Sequence, residues 1–179
     1  MIACLVIVHL YDQTYLAIVK SGQTDGNTFF EIITMIGKSD WILYSTGLVI
    51  LLLSIFSAGR FRGKLHGVWH RVFLTFYFAF TSVAFSGLIT VLFKFLFGRL
   101  RPPFVEELTA WKSVPFTPGY EFASFPAGPS TTSGALAMVL ALLFPRFAII
   151  FLPLGVLTAA SRSFIGVHFP SDVLAGLTI

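Results

Sequence analysis

The amino-acid sequence predicts an all-α, polytopic membrane helix bundle, and three observations carry that expectation. Hydrophobic residues make up 56% of the 179 positions and charged residues only 11%. Mean hydropathy is +0.86. Soluble domains average about 25% charged residues, so lipid must solvate most of this surface. Charge is also absent over stretches of spanning length, Trp41–Gly59 and Val72–Phe93, where a membrane helix needs about 20 apolar residues. The 21 phenylalanines suit helix surfaces that face acyl chains.

The length fits one domain, taken as residues 1–179, with a partial first span and an interfacial segment over 1–40 and a helical core over 41–179. Met1–Tyr11 reads as the remnant of a first span. Asp12–Lys38 mixes polar residues with Leu16, Ile18, Val19, Phe29, Phe30, Ile32, Ile33 and Ile36, and reads as one or two amphipathic helices along the interface. The two charge-free stretches supply the next spans. Phe125-Pro126-Ala127-Gly128-Pro129 reads as loop, which leaves Ser130–Phe144 as a span, a break at Pro145-Arg146, and a return pass over Phe147–Ala160. Both passes are short, and they fit a bilayer where their outer ends wall a protein-lined cavity. Ser171–Ile179 opens a last span, with Ser171 as N-cap and Asp172 in the first turn. The expectation is six spans, the outer two incomplete.

Arg60, Arg62, Lys64, Arg71 and Arg146 fall on one side of this topology, and Lys20, Lys38, Lys94, Arg99, Arg101, Lys112 and Arg162 on the other. With Lys94, Arg101 and Arg162 set aside as site residues, five cations face four. The denser Arg60–Arg71 loop is placed in the cytoplasm and the 98–129 loop outside. Trp41, Trp69 and Trp111 stand at span edges or in loops, as interfacial anchors do. The net charge of +4 is scattered, with no basic arm for nucleic acid. Cys4 is the only cysteine, which excludes an internal disulfide and a thiol metal cluster and leaves it a packing role. The first cation is Lys20, so no cleaved secretory signal is expected.

The chemistry-bearing residues are charges that lipid ought to exclude. Lys94 interrupts Val91-Leu92-Phe93 and Phe95-Leu96-Phe97, and such a cation reads as functional. Arg101 follows seven residues later, about 700° along a continuing helix, so both would share one face. Pro102 and Pro103 then stop the helix. The bland alternative, snorkelling at a helix end, carries more weight for Arg99 than for the Lys94/Arg101 pair.

A second group is Ser161-Arg162-Ser163-Phe164-Ile165-Gly166-Val167-His168-Phe169-Pro170-Ser171-Asp172. His168 and Asp172 stand four apart, close enough for the carboxylate to fix the tautomer and free the other ring nitrogen as base or nucleophile. The same pair also suits a purely structural hydrogen bond. No further His or carboxylate has spacing fit for a metal. The third group, Ser124-Phe125-Pro126-Ala127-Gly128-Pro129-Ser130-Thr131-Thr132, runs a small-residue loop into a helix whose N-terminus suits an anion. Three cations, fixed donors and an imidazole on one membrane face are what phosphoryl transfer uses. His66 and His70 read as a wet interfacial pair, and the phenylalanines of 73–97 as lipid-facing or core surface.

Lys94-x6-Arg101-Pro102, then Phe125-Pro126-Ala127-Gly128-Pro129-Ser130, then Ser161-Arg162-x5-His168-x3-Asp172 resembles the three-part signature of the type 2 phosphatidic acid phosphatase family, over about 80 residues. The resemblance implies six transmembrane helices and a lipid phosphatase or diphosphatase with neither metal nor cofactor. It implies that His168 is the nucleophile forming a phosphohistidine and Asp172 its orienting partner. Lys94, Arg101, Arg162, Ala127, Gly128 and Ser130 would hold the phosphate. The implied partners are the bilayer and a membrane lipid phosphate or isoprenoid diphosphate such as undecaprenyl diphosphate. The compact plan resembles bacterial members, which implies an inner-membrane location with an extracytoplasmic site.

The middle part departs from the family pattern Pro-Ser-Gly-His. Ala127 stands at the Ser position, and Pro129 stands where the His that protonates the leaving oxygen is expected. Proline supplies neither proton nor N–H. His66 and His70 lie on the opposite face, His9 lies in the first segment, and nothing places Glu106, Glu107 or Glu121 at the site. Three functions stay open: a phosphatase of impaired or narrowed chemistry, a non-catalytic binder of lipid phosphate headgroups, and a transporter or channel.

Overall fold

The computed structural model describes residues 2–21, 28–57, 64–106 and 111–179, with side chains from 10–21, 28–56, 67–106 and 111–179. Arg60, Arg62 and Glu107, and the side chains of Cys4, His9, Lys64 and His66, lie outside that description; of the Arg60–Arg71 segment expected as a cytoplasmic loop, residues 60–63 lie outside it and 64–71 are helical.

Seven α-helices follow in order among the described residues: α1 (Ile2–Lys20), α2 (Thr28–Ile36), α3 (Ser39–Ser57), α4 (Lys64–Phe97), α5 (Gly128–Leu143), α6 (Ala148–Phe164) and α7 (Pro170–Thr178). No strand forms among them; an isolated antiparallel bridge joins Arg99 to Ser113. The all-α expectation holds. Thr28–Phe56, Gly67–Phe97 and Pro145–Phe164 are long and apolar enough to cross a membrane, and Gly128–Leu143 is a shorter apolar helix.

Helix α5 packs against α4, α6 and α7, α3 packs on α4, α2 on α6, and α1 on α7 and on the short 3-10 turn Pro102–Phe104. Outward faces carry exposed Leu48, Leu51, Phe85, Leu88 and Ile149, as lipid-solvated helices do. Inward packing uses small residues. A Cβ on Gly176 of α7 would stand 2.6 Å from the Ala127 carbonyl oxygen, so only glycine lets α7 approach the start of α5 this closely.

Five expectations need correction. The helix through Met1–Tyr11 does not stop there: α1 runs on to Lys20, because Asp12 and Leu16 face inward and are buried. Of the Asp12–Lys38 segment, only α2 remains as a separate amphipathic helix, and its Thr34 is buried beside α6. Helix α5 starts at Gly128 rather than Ser130, since proline is accepted in a helix's first turn. Helix α7 starts at Pro170 with Phe169 as N-cap, so Ser171 lies inside the first turn.

The largest correction concerns α4. Its 34 residues span about 51 Å, longer than the roughly 30 Å hydrocarbon core. It ends at Phe97, so Lys94 sits one turn from the end and Arg101 is not on that helix. Gly98 turns the chain with φ +53°, and residues 98–101 then run extended beside 112–114. Gly98 N–H donates to the Lys94 carbonyl, and Val114 N–H donates back to Gly98 at 2.9 Å. A Cβ at Gly98 would lie 1.9 Å from the Val114 oxygen. Gly98→Ala is therefore expected to destabilise the protein by about 2 kcal/mol or more. Gly87→Ala, in mid-helix with nothing within 4 Å of its Cβ, should change stability by about 0.5 kcal/mol or less. Thermal melts of both variants in detergent check the contrast.

Candidate active site

The extended segment after Gly98 brings two arginines inward. Side chains two apart on an extended chain share a face, and Arg99 and Arg101 are both buried. Arg99 is fully enclosed, with its guanidinium 4.3 Å from the Trp111 ring centroid and 4.0 Å from that of Phe169. Its Nη1 donates to Asp172 Oδ1 at 2.5 Å and to Ser171 Oγ at 2.6 Å, and its Nη2 donates to Asp12 Oδ2 at 2.8 Å. Asp12 also accepts the Ser171 N–H at 3.1 Å and the Ser171 hydroxyl. One guanidinium thus joins α1, the 98–101 segment and the first turn of α7.

Asp172 is held from three further directions. Its Oδ2 accepts the Ser124 hydroxyl at 2.5 Å and the Phe169 N–H at 3.1 Å. Its main-chain carbonyl accepts the Ala127 N–H at 3.0 Å, pinning the 124–128 loop to α7. His168 Nδ1 lies 3.7 Å from Oδ2, beyond hydrogen-bond range, because that oxygen is already shared by two donors. The ring is fully buried, and neither of its nitrogens has a hydrogen-bond partner. Burial pushes the His168 imidazole down to about 4, with Arg101 and Lys94 adding to the shift and Asp172 opposing it.

The other cations converge by separate routes. Arg101 Nε donates to the Tyr120 carbonyl at 2.9 Å and its guanidinium stacks on the Tyr120 ring, while Nη1 is buried without a partner. Arg162 Nη1 donates to Thr34 Oγ1 at 3.1 Å, and its buried Nε is unpartnered. The backbone N–H groups of Val167 and His168 return to the Arg162 carbonyl at 3.2 and 3.3 Å, folding the 165–168 turn onto the end of α6. Lys94 Nζ lies beside Gly128, 3.7 Å from where a Cβ there would stand.

The middle segment divides. Gly128 and Pro129 line a cavity of about 650 Å³ with Lys94, Thr90, Thr132, Lys38 and Asp40, and with apolar Leu43, Val83, Leu88 and Val91. Ala127 is instead packed in an apolar cluster with Ala159 and Val173. Ser130 is buried, with its hydroxyl turned to the Ala159 carbonyl at 3.4 Å and its N–H bonded to Ala127. Glu121 contributes only its carbonyl, which accepts the Arg101 N–H at 2.8 Å, and Glu106 its carbonyl to Lys20.

Sequence reasoning passed over Asp12, Arg99 and the ring partners Trp111 and Tyr120. A signal for Asp12 exists: it is the only Asp, Glu, Lys or Arg among the first 19 residues, the same anomaly that singles out Lys94. The sequence motifs leave Arg99 outside the site, but the break at Gly98 turns it inward.

Residues 75–179 match the PAP2 superfamily. The chain belongs to that superfamily. The lipid A 1-phosphatases of Rhizobium johnstonii and Rhizobium etli are each 35% identical to it over 152 residues, or 82% of this chain. The chain spans 60% and 63% of their lengths. The crystal structure of a transmembrane PAP2-type phosphatidylglycerolphosphate phosphatase from Bacillus subtilis has the same fold, with a TM-score of 0.57 over 99% of this chain and 81% of that one, at 20% identity. This PAP2 chain is a multi-pass membrane protein.

The buried imidazole sets a pH dependence. The unfolded chain binds a proton at His168 near pH 6.5, whereas the folded site binds it only near pH 4. Between those values the unfolded state holds more protons, so stability falls as pH drops through that window. His168→Gln is expected to flatten this segment of the melting-temperature profile, and melts of both proteins across the window check it.

Proposed function

We propose that this PAP2 protein is a phosphatase acting on a membrane lipid phosphate or diphosphate, with His168 as nucleophile. One observation carries the reading: a fully buried, neutral imidazole with no internal partner, in a site to which unpartnered guanidinium nitrogens of Arg101 and Arg162 also belong. Unsatisfied buried donors and acceptors are costly, and a bound phosphoryl group would engage Nε2 of His168 and the free guanidinium nitrogens, leaving Nδ1 to Asp172.

In this reading Nε2 of His168 attacks phosphorus and the bond to the leaving oxygen breaks. The ring becomes a phospho-imidazolium, whose charge Asp172 balances across Nδ1. Water then attacks phosphorus, releasing phosphate and the neutral imidazole. Lys94, Arg101, Arg162 and the Gly128 end of α5 neutralise the equatorial oxygens. Ser130 and Ala127 serve packing rather than phosphate contact, given where their side chains point. The cavity beside Lys94 and Pro129, apolar along α4 at Val83, Ala84, Leu88 and Val91 and at Leu43 of α3, suits the first part of a lipid chain. The relatives' names point to a phosphorylated lipid, and the distribution of Lys and Arg supports an extracytoplasmic site in a bacterial inner membrane.

Pro129 occupies the position from which the leaving oxygen would receive its proton. A positioned acid contributes typically 10²–10⁴-fold. A diphosphate leaves as a stabilised anion and needs that proton less than an alkoxide does. The competing reading, a binder of lipid phosphate headgroups without turnover, is favoured by Pro129 alone.

Two expectations separate these readings. Brief incubation with a radiolabelled diphosphate lipid should trap an acid-labile phosphohistidine that is absent in His168→Gln and unaffected by a chelator; headgroup binding without trapping would favour the binder. Turnover should be faster on diphosphates or aryl phosphates than on phosphatidic acid, and Pro129→His should raise monoester turnover by about tenfold or more. Equal rates on the two substrate types, or an inert Pro129→His, would count against the role given to this position.

A further inference from the structure

The buried network contains a carboxylate that the proposed reaction does not use. Asp12 comes from α1, far in sequence from the three motifs, yet it shares Arg99 with Asp172 and accepts both the N–H and the hydroxyl of Ser171. Two carboxylates and one guanidinium sum to a single negative charge. With Asp12 present, Arg99 is divided between two anions, and Asp172 keeps negative charge on the side that faces the His168 ring. With Asp12 neutral, Arg99 and Asp172 form a closed ion pair, and the ring loses its counter-charge.

We propose that Asp12 is a positioning residue: by engaging one side of Arg99 and the first turn of α7, it keeps Asp172 both placed and effectively anionic toward His168. This role rests on His168 being the nucleophile, since a phospho-imidazolium needs that counter-charge. The charged groups that act on His168 directly are Asp172 from α7, Lys94 from α4 and Arg101 from the extended segment; the elements around them also carry Arg99, Arg162 of α6, and Tyr15 and Asp12 of α1. Tyr15 is fixed by donating to the Ser163 carbonyl at 2.6 Å. The start of α5, Gly128–Thr132, offers no titratable side chain, and α2 offers Thr34. Among these, Asp12 and Arg99 are the two whose charges act on the ring through Asp172.

The sign of each substitution follows. Asp12→Asn removes a negative charge and should lower the His168 titration midpoint, by about one pH unit for a charge several ångströms away. Arg99→Met leaves two carboxylates and should raise it by a similar amount. The double variant, with Asp172 as the remaining charge of the three, should return close to the parent value. Nitrogen-15 NMR of histidine-labelled full-length protein in detergent reads these midpoints, with the His168 resonance identified by its loss in His168→Gln.

Opposite shifts in the single variants that cancel in the double support the proposal. Unmoved midpoints, or two shifts of the same sign, overturn it, because a purely architectural Asp12 would disturb the site without regard to charge. If Asp12→Asn does not fold, an upward shift in Arg99→Met with recovery in the double variant is the supporting result, and any other pattern is the overturning one. The phosphatase reading is judged separately by phosphohistidine trapping. Cancelling shifts in a protein that never traps phosphate would uphold the electrostatic relation and sink the phosphatase.

Discussion

The guanidinium of Arg99, enclosed between two carboxylates and two aromatic rings, is the constraint on which the rest of this structure depends. A charge buried alone would cost several kcal/mol, and a buried pair repays that only when geometry and hydrogen bonds are complete. Here Arg99 reaches Asp12, Asp172 and Ser171, and Asp172 in turn takes donors from Ser124 and from the Phe169 N–H. Each partner lies on a different part of the chain: α1, the loop before α5, and the start of α7. In a bundle whose helices gain little from mutual hydrophobic contact in lipid, such a densely bonded polar junction decides where the helix ends sit. The 98–101 turn, the 124–128 loop and α7 are all aligned by it.

Beside this densely bonded set lies one with few partners. His168 has no hydrogen-bond partner at either nitrogen, and Arg101 and Arg162 each keep a buried nitrogen without one. The two sets touch through Asp172, whose Oδ2 is 3.7 Å from the ring. Folded proteins rarely leave several buried polar atoms unmet in one place, and the guanidinium nitrogens and Nε2 are suited to a phosphoryl group. The proposed function needs both sets, since preorganised charge in a water-poor site is what stabilises charge developing in a transition state.

The parts of this arrangement visible in the sequence are those that depend on local chemistry. Charge-free runs located α3, α4 and α6 because insertion energetics act residue by residue. The intramembrane cations Lys94 and Arg162, and the spacing of His168 and Asp172, pointed to the site for the same reason. What stayed hidden depends on chain geometry beyond one helix. The seven-residue interval between Lys94 and Arg101 suggests a single helical face, whereas the left-handed turn at Gly98 delivers Arg101 along an extended segment and turns Arg99 into the core. Asp12 was assigned to an interfacial segment because polar neighbours follow it, although the helix it belongs to simply continues inward. Its partner is 87 residues away, and no local pattern encodes that distance.

Pro129 shows how far the scaffold is independent of the chemistry it carries. As the second residue of α5, proline meets no steric objection, since its missing N–H would have no helical acceptor there and its fixed φ suits the turn. Ala127 at the N-cap makes no side-chain capping bond, a loss of about 1 kcal/mol against serine, and proline's restricted unfolded state offsets part of that. The helix therefore forms with either Ser-Gly-His or Ala-Gly-Pro at its start. The substitution removes a proton source while leaving Lys94, Gly128 and the cavity wall in place. In the proposed reaction, nucleophilic attack draws on His168 and Asp172, which the Arg99 junction places, and leaving-group protonation would draw on position 129, outside the hydrogen bonds of that junction. On that reading the two functions are physically separable, so the second can be lost and the first kept, with the remaining reactivity set by how little help the leaving group requires.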